Sequence, residues 1–173
     1  MPVREAVRRL IAERALTMQD NRRVLVPAMT REKFEQVLFA RRALEPELAA
    51  RALMRLTPAN IDAIAEIDRR VDKSMLNGDV DGYMRGNFRF HFTLYEQAEA
   101  DTLQALVESI WLQFGPFMRM AYGRIGTSKL EDHHQAALEA MRRGDETALR
   151  AAIVADVGQG MGFIGEVALG AIQ

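Results

Sequence analysis

The stretch NGDVDGYMRGNFRFHFTLYEQA, residues 77–98, contains the clearest indication of the fold and of a site. Its Asn-Gly pair is typical of the end of a helix, and Asp79 is a good cap for the next one. The apolar residues that follow recur at the spacing of one helix face, without the alternation of a strand. Asn87 and His91 are four positions apart in this predicted helix, so both side chains can reach one ion.

Start and stop signals divide the chain beyond Arg31 into about six helices joined by short loops. Ser128 is predicted to cap a helix that carries His133 and His134 and ends at Gly144, after which Asp145 caps the last helix. No strand-like alternation recurs in this part of the sequence. These signals predict an all-α fold, an antiparallel bundle of six or seven helices.

Two prolines fall inside predicted helices. Pro46 removes an amide donor in mid-run, so its segment is predicted as either one helix or a kinked pair. A Gly-Pro pair at residues 115–116 predicts a break or kink in a later helix. Each proline therefore leaves the length of its helix open.

The first 29 residues have a different pattern. PVREAVRRLIAER is predicted as a short basic amphipathic helix, and ALTMQDNRRVLVPAM as two short strands around an Asp-Asn turn. One helix and one hairpin cannot enclose a core of their own. Basic residues crowd the first 31 positions: Arg4, Arg8, Arg9, Arg14, Arg22, Arg23 and Arg31.

Length and composition limit the class of protein. The 173 residues are enough for one main domain, and the absence of cysteine excludes disulfides and thiolate metal sites. Any metal must therefore be held by His, Asp, Glu, Asn or water. The sequence has neither an apolar leader nor a membrane-length apolar run, which favours a cytoplasmic protein without a membrane partner. The net charge of −1 argues against a protein that coats nucleic acid.

The histidines allow two interpretations. A lone His91 among apolar neighbours is more often a core histidine bonded to a carbonyl than a ligand. However, His134 and Asp156 lie on later predicted helices, and metal sites in bundle cores are built from separate helices. If those helices are neighbours, both side chains converge with His91 and Asn87.

The motif RRALE, residues 41–45, also has two interpretations. Glu45 lies one turn from Arg41, so the pair suits a solvated helix face. Alternatively, the arginines form a bidentate clamp for a small carboxylate. The residues by themselves favour the solvated face.

Taken together, these motifs resemble the C-terminal effector domain, the FCD domain, of FadR-like regulators in the GntR family. The resemblance covers about residues 31–160 and follows the family's order and spacing. Residues 41–45 match the family's motif R-x-x-L-E, and Asn87 with His91 matches its motif D/N-x-x-x-H. His134 lies on the helix that matches H-x-A-I, and residues 144–145 match G-D. The resemblance implies a partial winged helix-turn-helix at 1–29 and a helical effector-binding domain at 30–173.

The resemblance also implies ligands. In the family, an acidic or amide residue and three histidines commonly hold a divalent metal, and a small carboxylate effector adds a ligand. Here the ligand set is Asn87, His91, His134 and Asp156, with Asp156 in place of the last histidine. We expect Zn, Mn, Ni or Mg, with oxygen ligands moving the preference from Zn toward Mn or Mg. The expected carboxylate clamp is formed by the cations Arg41, Arg42 and Arg119.

The first residues resemble the family's recognition helix and wing. The resemblance places DNA contacts at Arg4 and Arg8 of the helix and at Arg22 and Arg23 of the wing. Arg14 and Arg23 stand where the family usually has glycine. The two helices that normally support the recognition helix are not in the sequence, so we expect either a start upstream of Met1 or a truncated regulator.

The sequence therefore predicts a metabolite-responsive transcriptional regulator. It would be a homodimer that binds a DNA operator when the winged helix is whole, and it would not be an enzyme. Three alternatives remain open at this point: a metal-dependent enzyme on a helical bundle, a remnant acting only in ligand binding and dimerisation, and a structural protein with an empty site.

Overall fold

The computed structural model describes residues 2–125 and 131–170. Six helices form a bundle, preceded by one helix and a two-stranded hairpin, which confirms the predicted all-α architecture. In chain order the elements are α1 Pro2–Ala12, β1 Thr17–Met18, β2 Val24–Leu25, α2 Arg31–Leu53, α3 Pro58–Leu76, α4 Val80–Glu96, α5 Asp101–Ile125, α6 His133–Arg143 and α7 Glu146–Ala168.

Side-chain caps begin most of these helices where the sequence predicts them. The carboxylate of Asp79 accepts from the backbone of Gly82, and that of Asp145 accepts from Ala148. The predicted start of α6 is wrong, because its N-cap is Asp132, whose carboxylate accepts from the backbone N–H of Gln135. The predicted cap Ser128 lies outside the described residues.

Neither proline divides its helix. Helix α2 runs continuously through Pro46, and α5 runs through Pro116. A proline removes one intrahelical hydrogen bond, and the packing of the rest of a long helix can offset that loss. Pro46 is buried in the bundle. The segment with Pro46 is therefore one helix, the first of the two predicted alternatives. Of the break or kink predicted at residues 115–116, the break is wrong and the kink stays a prediction.

Helix contacts bring the candidate residues together. Helix α7 packs against α2, α5 and α6, while α3 packs against α4 and α6. A Cβ atom on Gly86 would lie only 2.6 Å from a methyl group of the buried Val71, so this glycine allows α3 and α4 to approach closely. The close approach sets the depth at which the next turn of α4, with Asn87 and His91, enters the core.

The N-terminal elements lie apart from the core. Helix α1 has no buried residue, and the hairpin pairs Thr17 with Leu25 in an exposed antiparallel register. Arg14 after α1 and Arg22 in the turn have positive φ values of 59° and 63°. In the hairpin turn the left-handed residue is therefore Arg22, and Arg23, which the resemblance placed at the family's glycine position, follows it. The expected domain boundary near residue 30 stays a prediction.

The described residues include no helix that is both long enough and apolar enough to cross a lipid bilayer.

Candidate metal centre

Three potential ligands from three helices meet inside the bundle. His91 is on α4, His134 on α6 and Asp156 on α7. The Nε2 atom of His91 is 3.1 Å from Asp156 Oδ2, and that of His134 is 3.7 Å from Asp156 Oδ1. One ligand atom from each residue lies within 4.8 Å of the other two. This is the spacing at which a single divalent ion can contact all three.

The chemistry of these atoms fits a metal ion. His91 and His134 are buried, and among the described residues their Nε2 atoms have no hydrogen-bond partner of good geometry. Buried polar atoms are usually satisfied, and each exception requires an explanation. Imidazole nitrogen and carboxylate oxygen are common ligands of divalent transition metals. A cation between them would satisfy both nitrogens at once.

The opposite ring nitrogens are held in place. The Nδ1 atom of His134 is 2.8 Å from a carboxylate oxygen of Asp68 on α3. The Nδ1 atom of His91 is 3.1 Å from the hydroxyl of Tyr95, one turn later on the same helix. Metal-binding histidines typically hydrogen-bond through their second nitrogen in this way, which fixes the ring orientation.

The charges at the site favour an ionised carboxylate. Burial raises the pKa of Asp156, but the adjacent imidazole of His91, with the charges of His134 and Arg41, lowers it below its ordinary value overall. Burial lowers the pKa of His134, yet its hydrogen bond to Asp68 and the charge of Asp156 raise it on balance. Asp156 is therefore available as an anionic ligand.

Next to the candidate ligands is a buried ion pair. The Arg41 Nε atom donates to Glu45 Oε1 at 2.5 Å, and the guanidinium lies over the rings of Trp111 and Phe114, 4.9 and 4.2 Å from their centroids. Glu45 is fully buried and also accepts from the hydroxyl of Tyr95 at 2.9 Å and from the indole N–H of Trp111 at 3.2 Å. The pair is thus not the solvated helix face that the residues alone favoured.

A small polar cavity connects the ion pair with the candidate ligands. Its free space is about 10 Å³, room for about one water molecule, so a larger ligand requires its walls to move apart. Six polar side chains form most of its wall: Arg41, Tyr83, Asn87, Tyr122, Asp156 and Gln159. Asn87, the fourth predicted ligand, is buried on this wall one turn before His91.

A second cavity of about 60 Å³ lies on the α3 and α6 side of Asp156 and is strongly acidic. Burial and the carboxylates of Asp68 and Asp132 raise the pKa of Asp72 in this cavity. A negative field of this kind attracts cations. The acidic residues on its wall are Asp68, Asp72, Glu131, Asp132 and Asp156.

Two of the three predicted clamp residues lie elsewhere. Arg42 is exposed, with its guanidinium beside Gly158 of α7, and Arg119 forms an exposed ion pair with Asp81. Neither contributes to the wall of the polar cavity, whereas Arg41 does. Arg41 is the predicted cation that lies beside the candidate ligands.

The supporting residues Asp68, Tyr95 and Glu45 were not predicted to act at the site. Tyr95 follows His91 by four positions, so its helix-face spacing was a usable signal. Asp68 lies on another helix, far from His134 in sequence. Only the packing of α3 against α6 brings them together.

The predicted DNA-contacting side chains form no part of this site. Arg4 and Arg8 lie on the exposed helix α1, and Arg22 and Arg23 lie on the exposed hairpin turn. Within the described residues, the ion pair of Arg8 with Glu5 is open to solvent on both sides, at 78% and 77% side-chain exposure. Such a pair holds an arginine only weakly. These cations are accessible to a polyanion.

Comparisons with known proteins agree with this architecture. Residues 36–158 match the family model described as the FCD domain. The chain is 25% identical over 152 residues to the HTH-type transcriptional regulator McbR of Escherichia coli, covering 86% of this chain and 69% of that protein.

Two solved structures share the fold. That of E. coli McbR/YncC superposes with a TM-score of 0.88 at 22% identity, covering 94% of this chain and 83% of that one. A GntR family transcriptional regulator from Pseudomonas syringae pv. tomato gives 0.70 at 24% identity, covering 96% and 69%.

Proposed function

Because the chain belongs to the FCD domain family, we propose that its helical bundle binds a divalent metal and a small organic acid and thereby controls DNA binding. The chain is a GntR-type transcriptional regulator and not an enzyme, as its relatives are regulators. One observation carries the proposal. The Nε2 atoms of His91 and His134, which are buried and have no hydrogen-bond partner among the described residues, face the carboxylate of Asp156, and Asp156 and Arg41 line the same cavity.

The metal would be held by His91, His134 and Asp156, with Asn87 as the fourth protein ligand. The convergence of the first three supports this assignment. When bound, the ion would supply a coordination position for a carboxylate oxygen of the effector. The carboxylates around the cavity on the other side of Asp156 favour the binding of a cation, rather than an anion, between these ligands.

The effector would lie in the polar cavity, between the metal ligands and Arg41, once the walls of that cavity move apart to admit it. Glu45 accepts from Nε and one terminal nitrogen of Arg41, and a carboxylate in the cavity would accept from the remaining N–H groups of the guanidinium. The hydroxyls of Tyr83 and Tyr122 and the amide of Gln159 suit an acid with further oxygen atoms. We therefore assign small hydroxy acids and dicarboxylic acids as the effector class, and Arg41 as the clamp.

We expect Arg41→Lys to weaken effector binding roughly tenfold to a hundredfold, because lysine keeps the charge but loses the planar fork. The retained charge still neutralises Glu45, so the fold should persist. Isothermal titration of the metal-loaded protein with a panel of small hydroxy acids and dicarboxylic acids would measure the change.

Arg42→Lys and Arg119→Lys are the matched controls, since both side chains lie outside the cavity. Both should bind each acid as the parent does. If Arg41→Lys also leaves every affinity unchanged, the anion site is elsewhere in the protein.

The exposed arginines of α1 are proposed to contact DNA phosphates. We expect the double variant Arg4→Ala/Arg8→Ala to reduce affinity for duplex DNA, and the slope of log affinity against log salt to fall by about two. Fluorescence anisotropy at several salt concentrations would measure both quantities. Each lost phosphate contact removes about one released counterion, which is why the slope changes.

Arg69→Ala/Arg70→Ala is the matched control, because both are exposed arginines on α3 of the bundle. It should keep the parent's affinity and salt slope. Equal slopes for the α1 variant and the parent would remove α1 from the DNA-binding surface. The homodimer stays a prediction that light scattering on the same samples would test.

A further inference from the structure

Glu45 and Tyr95 form a buried hydrogen-bonded chain that ends on a candidate metal ligand. Tyr95 Oη lies 2.9 Å from Glu45 Oε2 and 3.1 Å from His91 Nδ1. All three residues are fully buried. Each hydrogen bond in the chain therefore lies out of competition with solvent.

The single hydroxyl proton of Tyr95 decides the direction of these bonds. A carboxylate only accepts hydrogen bonds, so Tyr95 must donate its proton to Glu45 if that contact is to form. The oxygen of Tyr95 is then left to accept, and His91 must donate from Nδ1. With its proton on Nδ1, the neutral imidazole presents a lone pair at Nε2, toward Asp156 and the candidate metal position.

His134 shows the same arrangement in a shorter form. Its Nδ1 atom is 2.8 Å from Asp68, a carboxylate that accepts directly without a tyrosine between them. His134 thus has an anionic acceptor at Nδ1, His91 has a tyrosine hydroxyl that is itself bonded to an anion, and both have an unsatisfied Nε2. Side chains on two different helices, Tyr95 on α4 and Asp68 on α3, therefore hold the two histidine rings through their Nδ1 atoms.

We propose that Tyr95 and Glu45 are positioning residues, which hold His91 in the tautomer and orientation that bind a divalent metal. This inference rests on the proposed metal site. It assigns a second role to Glu45, which pairs with the effector clamp Arg41 and supports a metal ligand through Tyr95. Neither residue touches the metal.

Tyr95→Phe is the test, because it removes the hydroxyl and keeps the buried ring. After chelator treatment, zinc and manganese are titrated into the parent and the variant, and the metal that binds the parent more tightly is used throughout. We expect a loss of metal affinity of roughly tenfold to a hundredfold, as for other partners of metal-binding histidines. The melting temperature of the metal-free variant should fall only by the amount expected for the two buried hydrogen bonds of the hydroxyl.

The matched control is Trp111→Phe. It also removes one donor to Glu45 but leaves the bond between Tyr95 and His91 in place. Its metal affinity should stay near that of the parent, even where its stability falls. A loss of metal affinity in both variants, in proportion to stability, would overturn the positioning role.

A spectroscopic readout separates positioning from packing. In a zinc-loaded sample with labelled histidine, the parent should show a protected His91 Nδ1–H resonance, and Tyr95→Phe should lose that protection. A parent that binds no metal would overturn the proposed site and this inference together. A parent that binds metal, beside a Tyr95→Phe variant with equal affinity and an unchanged Nδ1–H resonance, would overturn the inference alone.

Discussion

Replacing His91 or His134 with alanine is expected to abolish stoichiometric binding of a divalent metal. Each change removes one of three converging ligand atoms, and the remaining side chains cannot enclose an ion. A ligand that binds only the folded state, at a thousand times its Kd, stabilises that state by about 4 kcal/mol. The increase in melting temperature that metal gives the parent should therefore disappear. Elemental analysis after gel filtration, and melts with and without a chelator, would measure both effects.

His133→Ala is the control for this experiment. His133 is adjacent to His134 on α6 but lies outside the converging set, and its Nε2 atom is 3.1 Å from Gln159 Nε2. It should keep the parent's metal content and its response to the chelator. Full metal content in both His91→Ala and His134→Ala would end the metal hypothesis.

Much of the fold could be predicted because its signals are local. The Asn-Gly stop and Asp79 cap lie next to each other in sequence, and a carboxylate before a helix satisfies free backbone N–H groups wherever it occurs. Local signals could not decide what a proline does inside a helix. The sequence left the segment with Pro46 as either one helix or a kinked pair, and α2 continues through the proline, which is buried in the bundle.

The residues of the candidate site could likewise be predicted only in part. Asn87 and His91 could be paired from their spacing, because four positions always place two residues on one helix face. The joining of His91, His134 and Asp156 into one candidate set depended on family resemblance, since periodicity does not say which helices are neighbours. The contacts of α7 with α6 and of α3 with α4 then bring the three side chains together.

The environment of Arg41 is the clearest case that the sequence could not decide. An Arg and a Glu four positions apart usually form a solvent-exposed pair, and Arg51 with Glu47 on the same helix does so. Arg41 and Glu45 have the same spacing but only 3% and 0% side-chain exposure. The difference comes from α5, which supplies Trp111 to cover the inner pair.

Because only the inner of the two ion pairs on α2 is buried, we expect a large loss of stability when that pair is broken. Glu45→Ala should lower the free energy of unfolding by about 3–5 kcal/mol, because it leaves the buried Arg41 charge without its partner. The hydroxyl of Tyr95 and the indole N–H of Trp111 would lose their acceptor as well. Urea denaturation of the metal-free protein would measure the loss separately from any effect of metal.

Glu47→Ala is the matched control, since it removes the same side chain from the same helix. Glu47 is partly exposed and bonds Arg51 and Arg150, each at 2.8 Å, so its loss should cost less than about 1 kcal/mol. The double variant Arg41→Leu/Glu45→Leu separates charge from packing, because replacing both members of a buried pair is often neutral or stabilising. It should recover much of the stability lost in Glu45→Ala. If Glu45→Ala costs no more than Glu47→Ala, then water reaches the Arg41 guanidinium, and the pair is not buried in solution.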